Sequence, residues 1–147
     1  MKYDDASWHS DGDFPAGLPA EAGATHIGIF LAWALLTGLG GEAHTSEMPE
    51  GIAGLRERSI TPGSFVLQFC DGKLTDEDLN EEGNAFAAAY FGFEKGSFLA
   101  DYEACLAEDL PSLYNVPDTW STYEAIQPVF DRRLAEWRAM TAKAAPG

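Results

Sequence analysis

Between Ala24 and Leu39 the chain reads Ala-Thr-His-Ile-Gly-Ile-Phe-Leu-Ala-Trp-Ala-Leu-Leu-Thr-Gly-Leu, with almost no polar interruption. Ile27, Phe30, Leu31, Ala34 and Leu35 recur at helical spacing and fill one face. Ile29, Trp33 and Leu36 make the opposite face apolar as well. A helix that is apolar on every side is wrapped by other elements. The segment reaches ~24 Å at ~1.5 Å per residue, short of the ~30 Å hydrocarbon core of a bilayer. The pattern therefore predicts the central helix of a folded domain, not a membrane span.

The other elements are placed around it by caps, prolines and glycines. Residues 1–20 are polar and turn-rich, and read as an ordered arm that docks Tyr3, Trp8 and Phe14 on the core. Phe14-Pro15 and Leu18-Pro19 hold the residue before each proline in extended or turn geometry. The central helix is expected to begin near Pro19 to Glu21 and to end at Gly38, Gly40 and Gly41. A short helix follows through Ile52, Leu55 and Arg56. Thr61-Pro62 is a start signal for Phe65, Val66, Leu67, Phe69 and Cys70, closed by Asp71-Gly72. This run is β-branched and aromatic enough for a strand, but the cap and the terminal glycine favour a helix.

Thr75 and Asp78 stand at capping-box positions, with Asp76 and Glu77 between them where a helix dipole favours negative charge. Leu79, Gly83, Phe86 and Tyr90 form the inward stripe of the helix they introduce. Gly83 inside a helix costs ~1 kcal/mol relative to alanine, which implies a close contact at that point. Gly92–Gly96 breaks the pattern, and Ser97 is placed to cap a helix carrying Phe98, Leu99, Tyr102 and Leu106 inward. Asp118 is read as the cap of a last stripe of Trp120, Tyr123, Ile126, Phe130, Leu134, Trp137 and Met140, which Pro128 should kink or split. Residues 140–147 are expected to fray. The fold predicted is mainly α: one compact domain over residues 1–147, with about five to seven helices around the buried central one and room for a small strand pair.

Composition narrows the functional classes. At 147 residues with 46% apolar and 12% aromatic content, the chain is a folded domain and not a disordered acidic segment. Its opening, Met-Lys-Tyr-Asp-Asp, lacks the charged and apolar regions of a secretion signal, so a cytoplasmic location is expected. Cys70 and Cys105 belong to no Cys-x-x-Cys pair and read as buried, reduced thiols, with no metal and no cofactor expected. Nine Lys and Arg against 24 Asp and Glu give a net charge of −15, which disfavours nucleic acid and anionic membranes as partners. From Asp71 to Asp118 there are twelve acidic residues and two basic ones, Lys73 and Lys95. Asp76, Glu77, Glu81, Glu82, Glu94, Asp101, Glu103, Glu108 and Asp109 are the candidate partner-binding residues of one negative face, with Tyr90, Phe93, Tyr102 and Tyr114 as anchors if they are not core.

Catalytic motifs are thin. Asp4, Asp5, His9, Asp11 and Asp13 do not follow the register of a calcium loop. There is no Gly-x-Ser-x-Gly, no His-Glu-x-x-His and no persuasive Cys–His pair, and Gly38-Leu-Gly-Gly41 lacks the Lys-Ser/Thr of a phosphate loop. Glu81-Glu82 and Glu108-Asp109 are sequence neighbours that point ~100° apart on a helix. His26 reads as a core histidine and His44 as a loop residue without a partner. The one alternative site is a pocket of Asp4, Asp5, Trp8, His9 and His26 beside the central helix.

The stretches Lys2-Tyr3-Asp4-Asp5-Ala6-Ser7-Trp8-His9, Asp13-Phe14-Pro15, Ala22-Gly23-Ala24-Thr25-His26-Ile27-Gly28 and Phe30-Leu31-Ala32-Trp33-Ala34 resemble a family of small acidic bacterial proteins. Glu81-Glu82-Gly83-Asn84, Asp101-Tyr102-Glu103 and Asp109-Leu110-Pro111-Ser112-Leu113-Tyr114 extend the likeness over nearly the whole chain. The family is largely uncharacterised and is linked with immunity proteins of bacterial toxin systems. The resemblance implies a cytosolic protein without chemistry of its own that binds and neutralises one cognate toxin with a basic surface. Two other classes compete: a small-ligand protein or enzyme using the histidine pocket, and a structural or regulatory subunit of a larger complex.

Overall fold

A strand, β1 (Lys2–Asp5), opens the chain and leads directly into helix α1 (Ala6–Ser10). The computed structural model describes residues 2–10, 15, 17–91 and 97–144. A 3₁₀ turn at Ala20–Ala24 runs into α2 (Thr25–Leu36), and a π turn at Ala43–Glu47 leads to α3 (Pro49–Glu57) and α4 (Pro62–Phe69). Strand β2 (Lys73–Thr75) and a 3₁₀ turn at Asp76–Asp78 precede α5 (Glu81–Tyr90). Helix α6 (Phe98–Tyr102) continues into a π turn at Glu103–Ala107, a 3₁₀ turn covers Leu113–Asn115, and α7 (Trp120–Ala144) ends the described chain. Seven α-helices among the described residues and one antiparallel strand pair make the mainly α domain that the pattern predicts. No helix among the described residues is long and apolar enough to cross a membrane.

Every residue of α2 from Thr25 to Leu35 is buried, which is why its sequence has no polar face. Aromatic rings fill the space on one side: Phe30 lies between 5.1 and 6.5 Å, centroid to centroid, from Trp33, Phe86, Tyr90, Phe91, Phe98 and Phe130. Trp33 satisfies its indole by donating to Asp131 Oδ1 at 2.9 Å. On the other side α2 and α4 touch backbone to backbone at Gly28, where a Cβ would stand 2.2 Å from the Pro62 carbonyl oxygen. The close contact expected at Gly83 is also present: its Cβ would meet the Leu39 carbonyl oxygen at 2.6 Å.

Several helix ends differ from the local reading. Thr75 and Asp78 do form a capping box, but it closes only the 3₁₀ turn. Leu79 then returns to extended geometry, and α5 starts two residues later with Asn80 accepting from the Gly83 amide at 2.8 Å. Asp78 spends its second oxygen on His44 Nε2 at 2.7 Å, so His44 is fully buried and has a partner. Asp118 does not cap α7. Its carboxylate accepts from Thr61 Oγ1 at 2.7 Å and from the Gly63 amide at 2.8 Å, reinforcing the start of α4, while Thr119 Oγ1 accepts from the Thr122 amide at the start of α7. Ser97 makes no side-chain cap for α6.

Helix α7 runs unbroken through Pro128, so the stripe is not split into two helices. Pro128 and Glu124, whose carbonyl loses its usual donor there, are both exposed, so the lost bond falls on the solvent side of the helix. Tyr123, Ile126, Phe130 and Leu134 are buried as the stripe predicts, but Met140 is 65% exposed because the helix has outrun the core. Replacing Met140 with Ser should therefore change stability by less than ~0.5 kcal/mol in a chemical denaturation series. Helix continues to Ala144, and 145–147 lie outside the described residues.

Candidate functional site

Strand parity sets up the site. β1 pairs with β2 in the register Lys2↔Thr75, Asp4↔Leu74 and Asp5↔Lys73, with an irregularity between Lys2 and Asp4. A bulge breaks the inside–outside alternation of a strand. Tyr3 and Asp4 accordingly both point inward: Tyr3 donates to Asn84 Oδ1 at 2.7 Å, and Asp4 faces α2.

There Asp4 meets two histidines. Its Oδ2 lies 2.9 Å from His26 Nε2, and its Oδ1 lies 2.8 Å from His9 Nε2 and 2.8 Å from the Asp5 amide. His9 Nδ1 lies 2.6 Å from the Tyr114 hydroxyl, brought in by the Leu113–Asn115 turn. The imidazoles of His9 and His26 pack edge to face at 4.5 Å between centroids, with Phe98, Tyr102 and Tyr114 ringing His26.

The protonation pattern follows from these partners. Burial would raise the Asp4 carboxyl, but the hydrogen bonds from His26 and His9, aided by their charge when protonated, outweigh it and hold the pKa at about 2. As a carboxylate Asp4 only accepts, so both histidines carry their proton on Nε2. In the neutral tautomer with the proton on Nε2, His9 Nδ1 accepts from the Tyr114 hydroxyl. Burial pushes His26 below the ordinary imidazole value despite the bond to Asp4, which keeps the ring neutral. Burial and the charge of Asp4 push Tyr114 upward, so it remains a phenol. The chemistry available is a hydrogen-bonded relay, Tyr114 to His9 to Asp4, with His26 donating from the far side. Its geometry also makes it a clasp that fastens β1 and α1 to the central helix. Only His9, with 14% of its side chain exposed, and half-buried Tyr114 approach solvent.

Three of the five pocket residues therefore converge, and two do not. Asp5 turns away to accept from the Ser7 amide and hydroxyl at 2.9 and 2.8 Å, capping α1. Trp8 is 48% exposed and lies outside the Asp4–His9–His26 cluster. Tyr114 is the member missed as a site residue, because no local spacing connects it to His9. Asp11, Asp13 and Phe14 lie outside the described residues.

The acidic candidates separate into two groups. Asp76, Glu77, Glu81, Glu103, Glu108 and Asp109 are exposed. Asp101 is not a free surface acid: Arg133 clamps it with two bonds of 2.8 Å and Tyr90 donates to it at 2.5 Å, which outweighs burial and lowers its pKa. Glu82 is exposed but is held by Arg138 at 2.8 and 3.1 Å. Glu94 and Phe93 lie outside the described residues. Of the other aromatic anchors, Tyr90 and Tyr102 are core. Cys70 is half-buried and Cys105 exposed, both as free thiols, which corrects the expectation that both are buried.

No curated protein and no solved structure matches the chain. One family does: a domain of unknown function, DUF7832, matches residues 2–116, a span that holds Asp4, His9, His26 and Tyr114 and stops short of α7. The chain belongs to the DUF7832 family.

Proposed function

We propose that this protein is a non-catalytic binding module that captures a basic protein, acting as a cytoplasmic immunity protein that neutralises a cognate bacterial toxin. The observation that carries the reading is a run of exposed carboxylates along two adjoining grooves. One, of about 570 Å³, is edged by Glu42, Glu47 and Glu77; the other is edged by Glu81 and Glu82, and Asn80 lines both. Of these five acids only Glu82 has an ion-pair partner among the described residues. The basic side chains Arg58, Lys73, Arg132, Arg133 and Arg138 are all engaged by the protein's own carboxylates. A surface of this kind steers a basic partner into contact and rejects acidic ones. Glu103 and Glu108 line a separate groove and take a secondary place.

The test is affinity capture on the immobilised full chain from its native cells, followed by binding measurements on the captured polypeptide. The expected partner is basic and binds less tightly as salt rises from about 50 to about 300 mM. Reversing Glu42, Glu77 and Glu81 to Lys should slow association at least about tenfold and flatten that salt dependence. Equal binding by wild type and reversal variant would overturn the proposal. A stoichiometric complex with a partner that has no toxic activity would favour a structural or regulatory subunit. The convergence of Asp4, His9 and His26 favours one second reading, a small-ligand site; in that case His9→Gln would abolish function and the charge reversals would leave it intact.

A further inference from the structure

A second buried cluster lies apart from Asp4. His44 comes from the Ala43–Glu47 turn, Cys70 from the C-cap of α4, and Asp78 from the turn after β2. His44 Nε2 stands 2.7 Å from Asp78 Oδ1 and 3.8 Å from Cys70 Sγ, and one nitrogen, one sulfur and one oxygen all lie within 4.8 Å of one another. His44 and Asp78 are buried and Cys70 is half-buried.

The connectivity is wrong for a nucleophilic triad. There the base offers one ring nitrogen to the thiol and the other to the carboxylate. Here thiol and carboxylate both face Nε2, and buried Nδ1 has no partner. Burial, together with the charge and hydrogen bond of Asp78, pushes the Cys70 thiol well above its ordinary value, the reverse of an activated nucleophile.

The same convergence suits a cation. Imidazole, thiolate and carboxylate are the donors that Zn²⁺ takes, with N and O at ~2.0–2.1 Å and S at ~2.3 Å. Around one tetrahedral ion those lengths put N and S ~3.6 Å apart and N and O ~3.3 Å apart. The observed 3.8 and 2.7 Å differ from these by amounts that side-chain rotation supplies. A thiolate and a carboxylate neutralise a dication; on binding, the thiol proton leaves to solvent and the imidazole proton moves from Nε2 to Nδ1. Nδ1 is without a partner in either tautomer, so it does not weigh between them. His44 also sits between Glu42 and Glu47 in sequence, whose carboxylates edge a groove lined by its neighbours Ala43 and Thr45 and attract cations. The Asp4 cluster is less suited, because it has no thiolate and its single carboxylate would leave a dication half neutralised.

We propose that His44, Cys70 and Asp78 form a binding site for a Zn²⁺-class transition-metal ion, with three protein donors and one exchangeable position. The site goes beyond the partner-binding reading and does not depend on it. Bound metal would tie the loop carrying Glu42 and Glu47 to the segment carrying Glu77.

Co²⁺ titrated into the reduced full-length protein tests this without any partner. Wild type should develop a thiolate-to-cobalt charge-transfer band that saturates at one equivalent and is bleached by Zn²⁺. The chain has only two cysteines, so the band should persist in Cys105→Ser and vanish in Cys70→Ser, and His44→Gln should weaken Co²⁺ binding at least about tenfold. Persistence in Cys105→Ser assigns the sulfur to Cys70 even if Cys70→Ser fails to fold. No band in the folded wild type, a band that survives Cys70→Ser, or one lost in Cys105→Ser would overturn the proposal.

Discussion

Gly28→Ala is expected to lower stability by about 3 kcal/mol and the thermal midpoint by roughly 10 °C. A methyl group there would meet three backbone atoms of another element: the Pro62 carbonyl oxygen at 2.2 Å, its carbon at 2.5 Å and the Gly63 nitrogen at 2.7 Å. Side chains yield to such intrusions by changing rotamer, but backbone yields only if α2 and α4 move apart. Gly63 sits where its own backbone is pinned by Asp118, so α4 has little freedom to withdraw. The better helix propensity of alanine offsets only ~1 kcal/mol of the clash. Urea unfolding followed by circular dichroism measures the difference, with a lower midpoint at unchanged slope as the expected signature. A loss below ~1 kcal/mol would mean that the two helices are not locked at this crossing.

Asp4→Ala should cost about 3–5 kcal/mol, the range for removing one member of a buried charged network. It leaves two imidazole N–H groups and the Asp5 amide without their acceptor, and the first strand without its attachment to α2. The same cluster sets the acid sensitivity. Asp4 titrates at about 2 in the folded chain against an ordinary 3.8. Because the folded value is depressed, the stabilisation is complete above pH ~4 and is lost as pH falls toward ~2, a difference of ~2.4 kcal/mol. His26 acts in the same sense at higher pH: its folded value is depressed, so the unfolded chain takes up a proton first. Stability should thus begin to fall below pH ~6.5. Thermal melts between pH 8 and pH 2 should show His26→Gln without the upper loss and Asp4→Asn with a smaller lower one, the remainder belonging to carboxylates such as Asp101 whose folded pKa is also lowered. Melting profiles with the same pH dependence as wild type in both variants would remove the clasp as the source of the sensitivity.

What was legible in the sequence was mostly periodic. The all-apolar run of α2 announces its burial, and Thr61-Pro62 announces α4, because both signals are complete within a few residues. The N-terminal histidine pocket was legible in part: Asp4, His9 and His26 fall close enough in sequence to be grouped. Tyr114 closes the same cluster from 105 positions beyond His9, and no period or spacing reports that. Asp101 failed for the same reason, since its partner Arg133 is 32 positions away on another helix. His44 likewise meets Asp78 across 34 positions. Asp118 shows a different kind of miss. A local rule assigned it to the helix that follows, but Thr119 serves that helix, leaving the carboxylate for a start signal fifty-odd residues earlier. Local rules say which residues can cap, and packing decides which helix they cap.

The bulged first strand has a consequence in time as well as in space. Tyr3 finds Asn84 81 positions away, and His9 finds Tyr114 105 positions away. A ribosome emits the strand well before either Asn84 or Tyr114 exists. Helices such as α2 close on neighbours within their own turn, whereas long-range pairings wait for loop closure. Asp4 can meet His9 and His26 early, 5 and 22 positions away, whereas the bonds of Tyr3 to Asn84 and of His9 to Tyr114 are among the last to lock.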